Sequence, residues 1–93
     1  MIVKDVDLLI RLHEEASGCE VCGKSGNVKL EVHHIWAKGI GGGSRLDVGM
    51  NLIVVCAKYD GNCHDKAQAN QISKRELWGI ATEREIHRLR RTV

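Results

Sequence analysis

The four cysteines fall into two separated pairs, and no other feature constrains the fold as much. Cys19-Glu20-Val21-Cys22 is a short knuckle; Cys56 and Cys63 make a wider one, with turn-prone Asp60-Gly61-Asn62 between them. At 93 residues there is room for one domain. A chain this short buries only about 60–65% of the surface its unfolded form exposes, so its core is marginal without a staple. Two disulfides or one metal ion could supply it. Asp5 and Asp7 interrupt the N-terminal apolar residues, so no run there is expected to serve as a secretory leader. No stretch approaches the roughly 20 apolar residues of a membrane span. The reading is a reducing cytoplasm with no membrane partner, where such knuckles hold zinc more readily than they form disulfides. Thiolate zinc is tetrahedral with Zn–S near ~2.3 Å, so four sulfurs must converge from the two knuckles. Cys63 as a free buried thiol, with His64 as fourth ligand, is the alternative.

The net charge of +2 matters less than its distribution. Arg84, Arg88, Arg90 and Arg91 face only Glu83 and Glu85 near the C-terminal end, which suits phosphate contacts or an ordinary solvated helix face. With no Phe and one Tyr, the chain lacks the aromatic platforms of a protein that stacks single-stranded bases.

The chain reads as helix, knuckle, hairpin, second knuckle, helix. Val6, Leu9, Ile10 and His13 recur at helical spacing over residues 4–16, and Gly18 stands where a left-handed residue ends a helix. Residues 28–35 alternate, with Val28, Leu30 and Val32 on one face and Lys29 and Glu31 on the other, as in a half-buried strand. Gly39 through Gly43 form a loop, which either simply connects or approaches a DNA backbone together with Arg45. Asn51 to Val55 is the returning strand, ending at Cys56. Ser73-Lys74-Arg75-Glu76 is a capping-box pattern, opening a last helix with Leu77, Ile80, Ala81 and Leu89 as its buried stripe. Trp36 and Trp78 read as core anchors, and His13 and His87 as surface or packing residues.

Between the cysteine pairs stands a doublet, His33-His34, and His64 follows Cys63 directly. A structural zinc needs none of these, so the surplus points to a second metal and to chemistry. Neutral imidazole, with a pKa near ~6.5, is a suitable base at cellular pH. An ion held by few protein groups keeps positions open for phosphate and water. Adjacent strand residues point to opposite faces, so both histidines serve one site only if the strand ends at the doublet.

Taken together, Glu31-Val32-His33-His34-Ile35, Asn51-Leu52-Ile53-Val54-Val55-Cys56 and Cys63-His64 resemble the HNH endonuclease family in its four-cysteine form, over residues 19 to about 70. The resemblance implies an α+β fold: a ββα-metal core with a structural zinc knuckle, flanked by helices at about 4–17 and 73–91 in one domain, 1–93. It implies structural Zn²⁺ on Cys19, Cys22, Cys56 and Cys63, and one catalytic divalent ion on His33 and His64. His34 would be the general base, and Asn51 would brace the loop that carries the doublet. The second knuckle is longer than the family's common Cys-x-x-Cys-His, and no histidine follows a few residues beyond His64. Imidazole ligands favour Mn²⁺, Ni²⁺ or Co²⁺ over Mg²⁺.

The implied activity is hydrolysis of DNA phosphodiester bonds, with duplex DNA held through phosphates by Arg45, Arg84, Arg88 and Arg91. Small members of this kind are frequent in phage and prophage genomes, so a larger packaging or recombination assembly is a further expectation; the oligomeric state stays open. Three rivals remain: a zinc-stabilised DNA-binding module that does not cut, a redox protein using Cys19 and Cys22, and a nuclease for RNA or branched DNA.

Overall fold

The computed structural model describes residues 2–36 and 45–92, excepting the side chain of Thr92. The expected glycine loop at 39–43 lies outside the described residues. In chain order come β1 (Ile2–Val3), α1 (Val6–Glu15), β2 (Lys29–His34), β3 (Arg45–Leu46), a 3-10 turn (Gly49–Asn51), β4 (Leu52–Ala57), α2 (Cys63–Gln68) and α3 (Lys74–Thr92). The architecture is α+β: two small sheets and three helices.

β4 is the centre of the molecule, and all six of its residues are buried. Its run Leu52-Ile53-Val54-Val55-Cys56-Ala57 does not alternate because both faces are covered, as in strands sealed between layers. Ile53 and Val55 face a cluster with Ile35, Ala67, Ile72, Leu77 and Ala81. Leu52 and Val54 pack instead against Leu12 of α1. β2 pairs antiparallel with β4, from Lys29 opposite Ala57 to His34 opposite Leu52. Across β4 from β2, the Glu20 amide donates to the Val54 carbonyl at 2.9 Å, and Glu20 Oε1 accepts from the Val54 amide at 2.8 Å. The first knuckle thereby blunts what would be an open strand edge.

Each helix starts at a side-chain cap. Asp5 Oδ1 accepts from the Leu8 amide at 3.0 Å, Asn62 Oδ1 from the Asp65 amide at 2.8 Å, and Ser73 Oγ from the Glu76 amide at 3.1 Å. The short β1–β3 ladder is parallel, Ile2 opposite Arg45 and Val3 opposite Leu46. Two residues per strand carry no sequence periodicity, and neither strand was expected.

Several packing expectations need correction. Trp36 and Trp78 are not core anchors, being 45% and 41% exposed. On α3 the inward side is Leu77, Ala81 and Arg84, with Ile80 packed against the same core as expected; Trp78 is rotated roughly 100° from Leu77 and falls outside it. Leu89, at 67% exposed, is likewise off the stripe. On α1 the residues that meet β4 are Leu8, Leu9 and Leu12, while Val6 and Ile10 stay exposed. Gly18 is not a left-handed helix stop; the positive-φ glycines are Gly23, Gly26 and Gly61 among the described residues. Glycine stands at 18 for space: a Cβ there would come within 2.7 Å of the Lys24 carbonyl oxygen. That same oxygen accepts from the Cys19 amide at 2.8 Å and shapes the knuckle.

Candidate functional site

The four sulfurs of Cys19, Cys22, Cys56 and Cys63 lie within 4.8 Å of one another. A regular tetrahedron with Zn–S near ~2.3 Å has S···S edges of roughly 3.8 Å, and Cys22 and Cys56 are 3.8 Å apart. The Cys22 amide points at Cys19 Sγ from 3.5 Å and the Cys63 amide at Cys56 Sγ from 3.3 Å, as thiolates require. The long second knuckle reaches back by a turn in which Lys58 and Gly61 take positive φ. Its Tyr59 hydroxyl donates to Cys56 Sγ at 2.9 Å, and Lys24 Nζ sits 4.5 Å above the Tyr59 ring. Burial pushes the Cys56 thiol up, but the Tyr59 hydroxyl and Cys63 amide outweigh it and bring the group down to about 6. Burial, with the sulfurs around it, pushes Cys63 up instead. Four sulfurs this close can all be thiolates only around a cation, and the donor set fits zinc. Cys63 belongs to this cluster, and His64 lies elsewhere.

His64, on the first turn of α2, meets His33 edge to face, with ring centroids 5.4 Å apart. Glu31, two residues before His33 on the same face of β2, approaches His64 Nε2 at 3.7 Å and Lys58 Nζ at 3.8 Å. Burial lowers the His33 pKa to about 4, helped by the charges of His64, His34 and Lys74. A neutral imidazole keeps its lone pair for a metal. The fold thus brings His33 and His64 together, with the Glu31 carboxylate beside them.

The strand register splits the doublet. His33 is opposite Ile53 and His34 opposite Leu52, so the side chains leave opposite faces of β2. β2 ends at His34, the condition under which both could serve one site. His34 Nε2 lies 2.7 Å from Asp47 Oδ1. Asp47 is sealed: its side chain has no exposed surface. Its Oδ2 accepts from the Asp5 amide at 2.8 Å and from Arg45 Nη2 at 2.8 Å, and Arg45 Nε reaches Oδ1 at 3.0 Å. The Arg45 guanidinium, against the opposing effect of burial, holds the Asp47 carboxyl far below the usual carboxylate range. Asn51, also buried, accepts from the Trp36 amide at 2.9 Å and donates to the Leu46 carbonyl at 2.9 Å and the Trp36 carbonyl at 3.4 Å. It ties the end of β2 to β3.

The arginines divide. Arg45 is committed to Asp47. Arg84 turns inward, donating to Glu20 at 2.7 Å, the carbonyls of Gly49 and Leu52 at 2.6 and 3.0 Å, and Glu85 at 2.8 Å. That occupies four of its five N–H donors. Arg88 pairs with Glu15 at 2.8 Å on the surface, and Arg91 is exposed and makes no ion pair among the described residues. Sequence reasoning missed Asp47, Glu20 and Tyr59. The one available signal was an acid set between Leu46 and Val48, four residues before Asn51.

The family model of the HNH endonucleases matches residues 19–70. The chain belongs to that family: the matched span holds both knuckles, β2, β4, α2 and all three histidines of the site. Searches among curated proteins and among solved structures returned no match. Membership points to a nuclease or DNA-binding function.

Proposed function

We propose that this protein is a metal-dependent endonuclease that hydrolyses DNA phosphodiester bonds, and that its described residues work as one domain. The observation that carries the reading is the His33–His64 pair, set apart from the four-sulfur cluster and contributed by the strand and the helix of one ββα unit. DNA binding alone requires no such pair. A divalent ion held there by His33 and His64 would supply Lewis-acid stabilisation of charge on the phosphate and leaving oxygen. His34 takes the proton from the attacking water, and Asn51 keeps the end of β2 in place for it. Zinc on the four cysteines would fix both knuckles, the second of which receives β4 and opens α2.

Lys74, whose charge acts on His33, opens α3, whereas Arg91 lies 17 residues further along the helix. That is roughly 25 Å at 1.5 Å per residue. Arg88 and Arg91 therefore contact a flanking stretch of duplex rather than the scissile phosphate, and Arg84 serves the fold. The test is plasmid nicking by zinc-loaded protein across Mn²⁺, Ni²⁺, Co²⁺ and Mg²⁺. His34→Ala is expected to lose about 10²–10⁴-fold in rate with its DNA affinity retained. Binding without cutting under every metal would make the protein a zinc-stabilised DNA-binding module instead.

A further inference from the structure

We propose that Asp47 is the positioning residue for His34: its buried carboxylate accepts the hydrogen bond from Nε2, fixes the ring, and leaves the Nδ1 lone pair free for the proton of the attacking water. The inference rests on the reading of His34 as the base. Three independent features of the geometry support it.

The first is the direction of the hydrogen bond. Asp47 is surrounded by donors that cannot act as acceptors: the Arg45 guanidinium through Nε and Nη2, and the Asp5 amide. A carboxylate held so is ionised and accepts only. At 2.7 Å, His34 Nε2 must then be the donor. A neutral imidazole has one N–H, so the lone pair lies on Nδ1.

The second is that Nδ1 is available. It makes no hydrogen bond to the described residues, among which Thr82 Oγ1 is the one fully buried, unpartnered side-chain N or O. Among the described residues, nothing engages His34 Nδ1, while Nε2 is held by Asp47. The third is that the carboxylate itself cannot drift. The Asp47 amide donates to the Val3 carbonyl at 2.7 Å, and the Leu46 carbonyl is held by Asn51. The ring is thus oriented by β1, β3 and the Asn51 tether together.

The rival account makes Asp47 a purely structural pin between β1, β3 and β2. Asp47→Asn separates the two. The asparagine oxygen can keep Arg45 and the Asp5 amide, while its NH2 faces Nε2 and drives the His34 proton onto Nδ1. The expected result is a single-turnover cleavage rate lower by about 10²–10⁴-fold, with unchanged DNA affinity and zinc content. Adding Asp47→Asn to His34→Ala should cost nothing further, because the residue acts only through the ring. Nitrogen NMR of the zinc-loaded wild type, at neutral pH without a second divalent ion, should show His34 protonated at Nε2. The tautomer of the wild type needs no variant, so it can overturn the inference even where Asp47→Asn does not fold. An Nδ1-protonated wild type, or a further loss in the His34→Ala background, overturns the inference. So does an Asp47→Asn protein that cuts normally while His34→Ala does not. A wild type that cuts nothing fails the nuclease reading and takes this inference with it, whereas dependence on His34 without dependence on Asp47 sinks this inference alone.

Discussion

His33 gives up hydration on the β2 face it shares with Glu31, and the charges of His64, His34 and Lys74 act on it in the same direction. An unfolded imidazole binds its proton near pH ~6.5, whereas His33 in the fold resists protonation down to about 4. Between those values the unfolded chain carries a proton that the folded one does not. Stability therefore falls as pH drops through that window and is restored above it. Urea unfolding of the zinc-loaded protein at several pH values between 7 and 5 should show a steeper decline for wild type than for His33→Gln. Comparing the two at each pH cancels the acid sensitivity of the thiolates. Parallel curves would mean that His33 is as hydrated in the fold as in the unfolded chain.

At the scale of elements, the first knuckle depends on close backbone approach. Gly18→Ala would push a methyl into the Lys24 carbonyl, which holds the Cys19 amide. The expected cost is about 1–3 kcal/mol of stability, seen as a lower denaturation midpoint in excess zinc, although no ligand is touched. An unchanged midpoint would show that the knuckle can rearrange freely. Gly18 also shows where sequence reading stops: it was visible as a break after α1, but the reason for glycine lies in a carbonyl six residues away. Elements with a strong local signal were legible, among them the alternation of β2, the apolar run of β4, the cap at Ser73 and the cysteine spacing. The two-residue strands were not, because their partners lie about 43 positions apart and leave no period to count. The same holds for the site. Histidines beside cysteines stand out in a sequence, whereas Asp47 acquires meaning only when β3 folds against the end of β2. Arg84 is the converse, a residue legible as basic surface whose neighbours make it an internal strut.

For the molecule as a whole, the knuckles join units that would otherwise hold one another weakly. Glu20 links the first knuckle to β4 and, through Arg84, to α3, and Cys63 opens α2. Removing the metal should release all three at once. Zinc binding of this kind contributes on the order of 10 kcal/mol to folding in small domains. Elemental analysis should find about one zinc per chain, and strong chelation should replace the cooperative melting transition by a gradual one. A chelated protein with its transition intact would show that the core of β4 stands without the staple.

Strand pairing gives the histidine doublet its asymmetry. β4 is apolar toward both sides, so its own side chains give little information about how β2 should align with it. The alignment comes from β2, where Leu30 and Val32 must meet Val54 and Leu12 while Lys29 and Glu31 must not. Because side chains alternate with a period of two, a slip by a single residue would exchange the places of His33 and His34. The imidazole that faces His64 would turn toward Asp47, and the one held by Asp47 would turn toward His64. Two identical side chains, adjacent in sequence, thus differ in environment through the greasiness of their neighbours two and four positions earlier.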